Sequence, residues 1–193
     1  MARHAEFDRT KIVDQAMNCF WSKGYEATSV QDLTEAMGIK PGSLYNSFQD
    51  KHTLFLEALD RYVATEGSYL FKQVEQSPSG KEAIKTFFVG LVDQLVSDPE
   101  NRACFMLNAT LELASHDAEV AERVFLSTQL GEAVFRRALE RAQNAGEIGQ
   151  HHDVKTLAAF LVSTIKGIQV TAKLAPGRDS LNALAQVALS LLD

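Results

Sequence analysis

Apolar residues along this chain recur mainly at spacings of three and four, which is the periodicity of a helix with one buried face. Ile12, Ala16 and Phe20 establish this pattern in the first segment. Nowhere do several short segments of strictly alternating polar and apolar residues follow one another with hairpin turns between them. The pattern therefore predicts an all-α protein.

Capping residues and glycines divide this pattern into successive helices. The first predicted helix ends at Gly24, the second lies between Ser29 and Gly38, and the third begins at Pro41. The fourth is predicted to be long, because Asp50 can cap it and its apolar pattern continues. The predicted helices after the third cover residues 51 to about 74, 80 to about 95, 98 to 114, 118–144, 153–174 and 180–192.

Residues 30–48 contain two predicted helices of about eight residues joined by a turn at residues 38–40. The positions that face inward are apolar, and the second helix turns a different set of residues outward: Gly42, Ser43, Tyr45, Asn46 and Gln49. Glycine lets the backbone approach a phosphate, while hydroxyl and amide groups can bind base edges or phosphates. The spacing therefore predicts a DNA-binding helix-turn-helix. A helical corner that grips another protein has the same pattern, and that alternative stays open at this point.

A longer pattern is formed by Ile12, Ala16, Phe20, Gly24, Thr28, Val30, Leu33, Ala36, Gly38, Ile39, Gly42, Leu44, Tyr45, Phe48, Lys51 and Leu54. In this order and spacing, these residues resemble the N-terminal pattern of the TetR family of bacterial transcriptional regulators. The resemblance implies an N-terminal three-helix helix-turn-helix DNA-binding domain, residues 1–51, and a C-terminal helical ligand-binding and dimerisation domain, residues 52–193. It also implies a homodimeric repressor that binds a palindromic operator and is released by a small-molecule or thiol-reactive inducer.

Carried over position by position, the resemblance implies contacts with double-stranded DNA. Thr28 and Lys51 would bind phosphates. The groove would be lined by Lys40, Gly42, Ser43, Tyr45 and Asn46, with Ser47 beside them. Many relatives have an aromatic residue or histidine after the tyrosine, where this chain has Asn46 and Ser47. That difference predicts a weaker clamp on the DNA backbone and leaves Asn46 freer to contact a base.

The formal net charge of -6 raises the question of how this chain binds a polyanion. Residues 1–51 carry six Lys or Arg residues against seven Asp or Glu residues, so even this segment is slightly acidic. The placement of charges, rather than their sum, must then produce the affinity for phosphates. The cations predicted to face the DNA are Arg3, His4, Arg9, Lys40 and Lys51.

The predicted helices 118–144 and 153–174 are the candidates for a homodimer interface. A single short recognition helix reads few base pairs, and helix-turn-helix proteins gain specificity by binding two half-sites. The apolar residues considered for this interface are Val120, Val124, Ala133 and Leu139 on the first helix and Leu157, Leu161, Ile165 and Ile168 on the second. The alternative is that these residues fill the core of one subunit.

Aromatic residues of the C-terminal segment can line a ligand cavity or fill a core. They are Tyr62, Tyr69, Phe71, Phe87, Phe88, Phe105 and Phe125, of which Phe88, Phe105 and Phe125 are taken as candidate ligand contacts for an unidentified small molecule. Cys104, Asn108 and Glu112 recur at intervals of four, which places a thiol, an amide and a carboxylate on one helix face.

Cys104 has two interpretations. The nearby Arg102 and a helix N-terminus would favour a reactive thiolate, and a loose resemblance to electrophile-sensing members of the family supports a sensor. A buried cysteine that packs as a small hydrophobe is the alternative.

Other chemistry is not expected. The chain lacks GxGxxG, GxxxxGK, HExxH and GxSxG patterns, so neither an enzyme nor a cofactor is predicted. His151 and His152 have no neighbouring ligand cluster, so no metal site is predicted either. No apolar signal segment follows Arg3, and the apolar run 157–165 is far shorter than the roughly 20 residues of a membrane span. We therefore expect a cytoplasmic protein without a membrane partner.

Overall fold

The computed structural model describes residues 9–175 and 177–193, and within them it contains helices and no strands. The predicted all-α class is confirmed. The helices are α1 (Arg9–Lys23), α2 (Val30–Met37), α3 (Pro41–Phe48), α4 (Lys51–Ala64), α5 (Tyr69–Gln76), α6 (Gly80–Ser97), α7 (Phe105–Glu112), α8 (Ala118–Asn144), α9 (Val154–Ala172) and α10 (Arg178–Leu189). Short 3-10 helices, Glu66–Ser68 and Ser190–Leu192, follow α4 and α10.

Local signals set the two helices of the helix-turn-helix. Ser29 and Asp32 form a reciprocal capping box at the start of α2, which satisfies backbone N–H groups that lack a partner in the helix. Gly38 ends α2 with a φ of 65°, a conformation that only glycine adopts without strain. Pro41 then occupies the first turn of α3, where a missing N–H costs nothing.

The predicted fourth helix, 51 to about 74, is wrong in its length because α4 ends at Ala64. The hydroxyl of Thr65 donates to the carbonyl of Arg61 at 2.8 Å, and that of Ser68 donates to the carbonyl of Ala64 at 3.1 Å. These side chains compete for carbonyls that a continuing helix would use, and Gly67 beside them has a low helix propensity. A 3-10 turn therefore separates α4 from α5.

The predicted helix 98–114 is wrong in its start, because α7 begins only at Phe105. Asn101 and Ala103 have φ values of 51° and 58°, which a right-handed helix does not accommodate. Asp98 stabilises the loop by accepting hydrogen bonds from the backbone N–H groups of Glu100 and Arg102, at 3.3 and 2.7 Å. Cys104 is consequently the residue before α7 rather than a residue within its first turn.

Two hydrophobic clusters hold the helices together. The first comprises the buried faces of α1 to α4, together with α7 and the start of α8. The second comprises α5, α6, most of α8, α9 and α10. Packing thus groups α4 with the first three helices, while the division into residues 1–51 and 52–193 concerns function and stays a prediction.

Candidate nucleic-acid interface and ligand cavity

The outer face of α3 carries polar side chains without partners. Lys40, Tyr45 and Asn46 are exposed, and Ser43 is half-buried. Among the described residues, none of these four side chains accepts or donates a hydrogen bond or joins an ion pair. A Cβ atom placed on Gly42 would meet open space, so nothing covers the backbone there. This face therefore has unused donors and acceptors in the arrangement that contact with a DNA groove requires.

Two of the predicted DNA contacts lie elsewhere. Thr28 is fully buried, and its hydroxyl donates to the carbonyl of Gly24 at 2.5 Å. The predicted phosphate contact from its side chain is therefore wrong in this structure, because the hydroxyl holds the turn between α1 and α2. Ser47 is half-buried, and its carbonyl accepts a hydrogen bond from Arg9 at 3.0 Å. Its hydroxyl remains a predicted contact.

Arg9 is exposed, but its guanidinium already has partners within the chain. Its guanidinium lies 4.4 Å from the centre of the Phe48 ring and pairs with Glu57 at 2.6 Å. These contacts, with the bond to Ser47, fasten the start of α1 to the end of α3 and to α4. The predicted DNA-facing residues Arg3 and His4 lie outside the described residues.

The placement of the remaining cations accounts for binding by an acidic chain. Lys23 pairs with Asp32, and Arg61 pairs with Asp14 at 2.6 Å, so these cations are neutralised away from α3. Lys40 has no acidic partner within residues 9–175 and 177–193. The Nζ atom of Lys51 lies 4.2 Å from the centre of the Tyr25 ring, a contact that orients the ammonium without cancelling its charge. Positive charge is thus left at the start of α3 and at the start of α4.

A cavity of about 330 Å³ lies among α4 to α9. Its apolar wall comprises Phe71, Phe87, Leu91, Met106, Val134 and Ile165. Its polar groups include Tyr62, Gln94, Cys104 and Gln169. A largely apolar cavity with a few polar groups is the usual form of a small-molecule site.

A second cavity of about 300 Å³ adjoins the first. The two share Tyr62, Glu66, Leu91, Gln94 and Gln169. The second extends to Trp21 on α1 and to Arg102. The combined space therefore borders a helix of the helix-turn-helix domain. The glutamines gave no sequence signal, because an isolated glutamine on a helix is usually a solvated surface residue.

The Tyr62 hydroxyl and the Cys104 thiol are neighbours in this space. Burial, with the adjacent thiol of Cys104, raises the pKa of Tyr62 well above its usual range, so its hydroxyl stays protonated. Arg102, which was expected to act on the thiol, instead donates to the Asp98 carboxylate at 3.3 Å and stacks on Trp21. The predicted activation of Cys104 by this arginine therefore has no support in the structure.

The other predicted ligand contacts lie away from the cavity. Phe88 and Phe105 are buried in the second and first hydrophobic clusters, respectively, and Phe125 is 60% exposed on α8. Asn108 donates to the carbonyl of Arg102 at 3.0 Å, and Glu112 accepts hydrogen bonds from the turn after α1. Intervals of four correctly placed these side chains on one helix, but their polar groups already have partners within the chain.

The apolar residues first considered for a dimer interface are also buried within the subunit, except Ala133, which is half-buried. The alternative that they fill the subunit core is therefore correct for Val120, Val124, Leu139, Leu157, Leu161, Ile165 and Ile168. A different set of large apolar residues is exposed along these helices and the turn after α9, outside the cavity lining: Phe125, Leu126, Phe160, Val170 and Leu174. We call this set the outer apolar face.

Metal-binding clusters and membrane-spanning helices are both absent from the described part of the chain. No three His, Cys, Asp or Glu side chains there lie close enough together to hold a metal ion. The adjacent rings of His151 and His152 pack against each other, and Asp153 caps α9. None of the helices in this part has both the length and the apolar content needed to cross a bilayer.

A helix-turn-helix with an unpartnered polar face, joined to a helical body, defines a DNA-binding transcriptional regulator rather than an enzyme. The profile of the bacterial regulatory proteins of the tetR family matches residues 12–58, and that of the tetracyclin repressor-like C-terminal domain matches residues 80–188. The chain belongs to the TetR family, which confirms the resemblance.

Individual relatives agree with this assignment. The HTH-type regulator YezE of Bacillus subtilis (strain 168), itself uncharacterised, is 34% identical over the full length of both chains. The HTH-type transcriptional repressor ComR of Escherichia coli (strain K12) is 33% identical over 96% of this chain and 89% of its own. Among solved structures, a cysteine mutant of the TetR-family regulator CifR, complexed with 26-bp double-strand operator DNA, has 31% identity and a TM-score of 0.88 over the whole of both chains.

Proposed function

We propose that this protein is a homodimeric repressor that binds a palindromic operator and is released from it by a small molecule or a thiol-reactive compound. The observation that carries the proposal is the outer face of α3, where four polar side chains have no partner among the residues that the structure describes and Gly42 is uncovered. Repression is supported by the likeness to ComR, and operator binding by the likeness to CifR in its DNA complex. Action on bacterial DNA supports a cytoplasmic location, which is part of the proposal.

The proposed homodimer uses the outer apolar face. Exposed phenylalanine, leucine and valine side chains along two neighbouring helices are typical of a surface that a partner covers. Gly167 on α9 has open space where a Cβ would lie, which allows a second helix to approach closely. A two-fold axis through this face would pair α8 and α9 with their copies and present two α3 helices to one side of the DNA.

The proposed inducer occupies the cavity beside Tyr62 and Cys104. Release requires that the inducer bind more tightly to a conformation whose α3 helices no longer fit the operator. This cavity lies in the helical body and adjoins the second cavity, which reaches α1, so the contents of the combined space can favour one arrangement of these parts over another.

Selection from a random duplex library, followed by binding of the selected sequence at two salt concentrations, tests operator recognition. We expect an inverted repeat whose half-sites are about one helical turn or slightly more apart. We also expect weaker binding at higher salt, since phosphate contacts release counterions. A library without enriched sequences, bound equally at both salt concentrations, would contradict the proposal and favour a protein-binding corner.

The thiol-reactive form of the inducer is tested with N-ethylmaleimide as the probe. The parent protein should lose operator affinity on treatment, and Cys104→Ser should be insensitive. Cys19→Ser is the matched control, because Cys19 is the other thiol and lies half-buried on α1. If Cys104→Ser responds like the parent, modification of Cys104 is not the releasing event, and the inducer acts without covalent chemistry or through Cys19.

A further inference from the structure

Helix α7 belongs to the C-terminal segment by sequence but is attached at both ends to the helix-turn-helix domain. Phe105, Met106 and Ala109 pack in the first hydrophobic cluster with α1 and α4. Backbone and side-chain hydrogen bonds then join the two ends of α7 to α1 and to the turn that follows it. An eight-residue helix held in this way is a rigid connection between the DNA-binding helices and the body.

Glu112 makes the attachment at the C-terminal end. Its carboxylate accepts hydrogen bonds from two consecutive backbone N–H groups, Tyr25 at 2.9 Å and Glu26 at 2.7 Å. Gly24 makes this approach possible: its φ is 85°, and a Cβ there would lie 3.0 Å from the nearer carboxylate oxygen. Hydrogen bonds to a charged acceptor are about twice as strong as neutral ones, so the turn before α2 is firmly held.

Trp21 makes the attachment at the N-terminal end. Its indole Nε1–H donates to the carbonyl of Ala103 at 3.0 Å, two residues before the start of α7. Arg102 lies over the same ring at 4.1 Å and also donates to the Asn18 side chain at 3.3 Å. Both attachments reach α1 or its C-terminal turn, and this turn leads directly into the helix-turn-helix.

We infer that Glu112 and Trp21 are positioning residues, which set the angle at which the body presents α3 and therefore the half-site spacing that the dimer accepts. The inference rests on the proposed homodimer and palindromic operator. His52 at the start of α4 also contacts Asp117, the residue before α8, at 2.6 Å. The α7 attachments are a second set of contacts. Contacts at two separate places fix the angle between the DNA-binding helices and the body, which contacts at one place would leave free to change.

The same element borders the cavity. Cys104 immediately precedes α7 and lines the cavity, while Trp21 lines the adjoining space. A molecule that displaces the first turn of α7 therefore moves the acceptor of the Trp21 hydrogen bond. The angle between the DNA-binding helices and the body, and the binding of a molecule in the cavity, then both depend on α7.

The test is a series of operators with the selected half-sites and spacers that are one base pair shorter, unchanged or one base pair longer. The quantity measured is the ratio of affinities for the preferred spacer and for the altered spacers. Glu112→Gln retains the size of the side chain, but its amide nitrogen cannot accept a hydrogen bond. We expect this ratio to fall about tenfold in Glu112→Gln, because losing a charge-assisted bond weakens the restraint on the angle.

Glu82→Gln is the matched control, since it changes the net charge equally at an exposed position in the first turn of α6. Its ratio should equal that of the parent. Trp21→Phe is the second test variant, and it replaces Glu112→Gln if that protein does not fold. It keeps a ring against Tyr62 and Arg102 but removes the indole N–H, so it should also lower the ratio. Thermal unfolding of each variant is measured in parallel.

Variants that lose thermal stability but keep the parental ratio would overturn the inference, because the contacts would then be structural only. This result differs from failure of the proposed function, in which the parent itself would show no preference for paired half-sites. In that case the inference falls with the proposal on which it rests.

Discussion

Lysine and arginine side chains in the DNA-binding domain have different roles because their neighbours differ. Lys23 and Arg61 are paired with carboxylates, and Arg9 joins α1 to the end of α3. Lys40 has no acidic partner in the described part of the chain, and Lys51 rests on an aromatic ring. We therefore propose that Lys40 and Lys51 contribute to the affinity for phosphates, which the net charge of the domain does not predict.

Substitution of Lys40 by alanine should reduce the salt dependence of operator binding. Each phosphate contact contributes about 0.9 to the slope of log affinity against log salt, so losing one contact per subunit lowers the slope of a dimer by about 2. Titrations at several salt concentrations measure this slope. Lys23→Ala is the control and should leave the slope unchanged, because Lys23 already pairs with Asp32. Equal slopes for Lys40→Ala and the parent would remove Lys40 from the interface.

Gln49 should tolerate glycine with a gain in stability. Its φ of 65° and ψ of -58° are unfavourable for a side chain with a Cβ, and the N–H of Asp50 closes the tight turn onto the carbonyl of Phe48 at 2.7 Å. Gln49→Gly should raise the free energy of unfolding by about 0.5–1 kcal/mol. Urea denaturation measures the change, and Gln49→Ala, which retains the strain, should show no such gain. A destabilised glycine variant would contradict this account.

Helix boundaries in this protein depend on side-chain acceptors at the first turn. At the start of several helices, a side-chain oxygen accepts a hydrogen bond from a backbone N–H. The residues that do so are Ser29, Asp50, Ser79, Asp117 and Asp153. At the end of α4 the hydroxyl groups of Thr65 and Ser68 act as donors instead, and they bond to backbone carbonyls. These elements are therefore defined by polar contacts as well as by their buried faces.

The cap of α8 should make stability depend on pH in the acidic range. Burial opposes ionisation of Asp117, but the N–H of Val120 and the ring of His52 outweigh it and hold the pKa below its ordinary value of 3.8. Because the folded pKa is depressed, the stabilisation is fully present above pH 3.8 and is lost as pH falls through the folded pKa. Asp117→Ala should cost about 1 kcal/mol at pH 7.

The difference in unfolding free energy between parent and Asp117→Ala should therefore narrow between about pH 4 and pH 2. Urea denaturation at pH 7, 4 and 2.5 measures it. Glu82→Ala serves as the control, because Glu82 is exposed in the first turn of α6 but is not the cap. A difference that stays constant across this range would mean that ionisation of Asp117 does not contribute to the cap.

In the molecule as a whole, α8 and α9 pack some of their apolar residues into the core and expose others to solvent. Leu139 and Leu161 are fully buried, while Leu126 and Phe160 on the same helices are 49% and 45% exposed. Lys166 crosses from α9 to donate to Thr128 of α8 at 2.9 Å, which helps to fix the two helices relative to each other. The exposed side is the one that we propose as the dimer interface.

Placing a charge on the outer apolar face should separate the proposed dimer. Phe160→Lys would bury an unpaired ammonium between the subunits, so we expect a monomer by sedimentation velocity. We also expect operator affinity to fall by about tenfold or more, since a monomer binds only one half-site. Val89→Lys adds the same charge at an exposed position on α6 and should do neither. A dimeric Phe160→Lys protein would place the interface elsewhere.

Prediction from sequence succeeded where the relevant residues are close together in the chain. Ser29, Gly38 and Pro41 act on backbone groups within a few residues of themselves, so their roles follow from local geometry. It failed at the break after Ala64 and at the start of α7, where hydroxyl groups and left-handed residues interrupt the helix between two apolar segments. Periodicity reports which residues are apolar, but not whether the backbone between them stays helical.

Among the candidate site residues too, prediction succeeded where local geometry decides and failed where distant contacts decide. The exposed positions of α3 were correctly identified as outward, because a short amphipathic helix has only one face to bury. Phe87 lines the cavity while its neighbour Phe88 fills the core, and nothing in their order distinguishes them. Thr28 and Glu112 were assigned to ligands, yet each satisfies backbone groups of the turn that precedes α2.

By itself, the sequence determined the all-α class, the helix-turn-helix and the family, because these depend on caps, glycines and apolar spacing among residues near each other in the chain. Only the tertiary structure decided which apolar faces are buried, where the cavity lies and which polar groups already have partners. Those properties arise when helices distant in sequence pack together, and α8, which has apolar residues on more than one side, can be interpreted only once its neighbours are known.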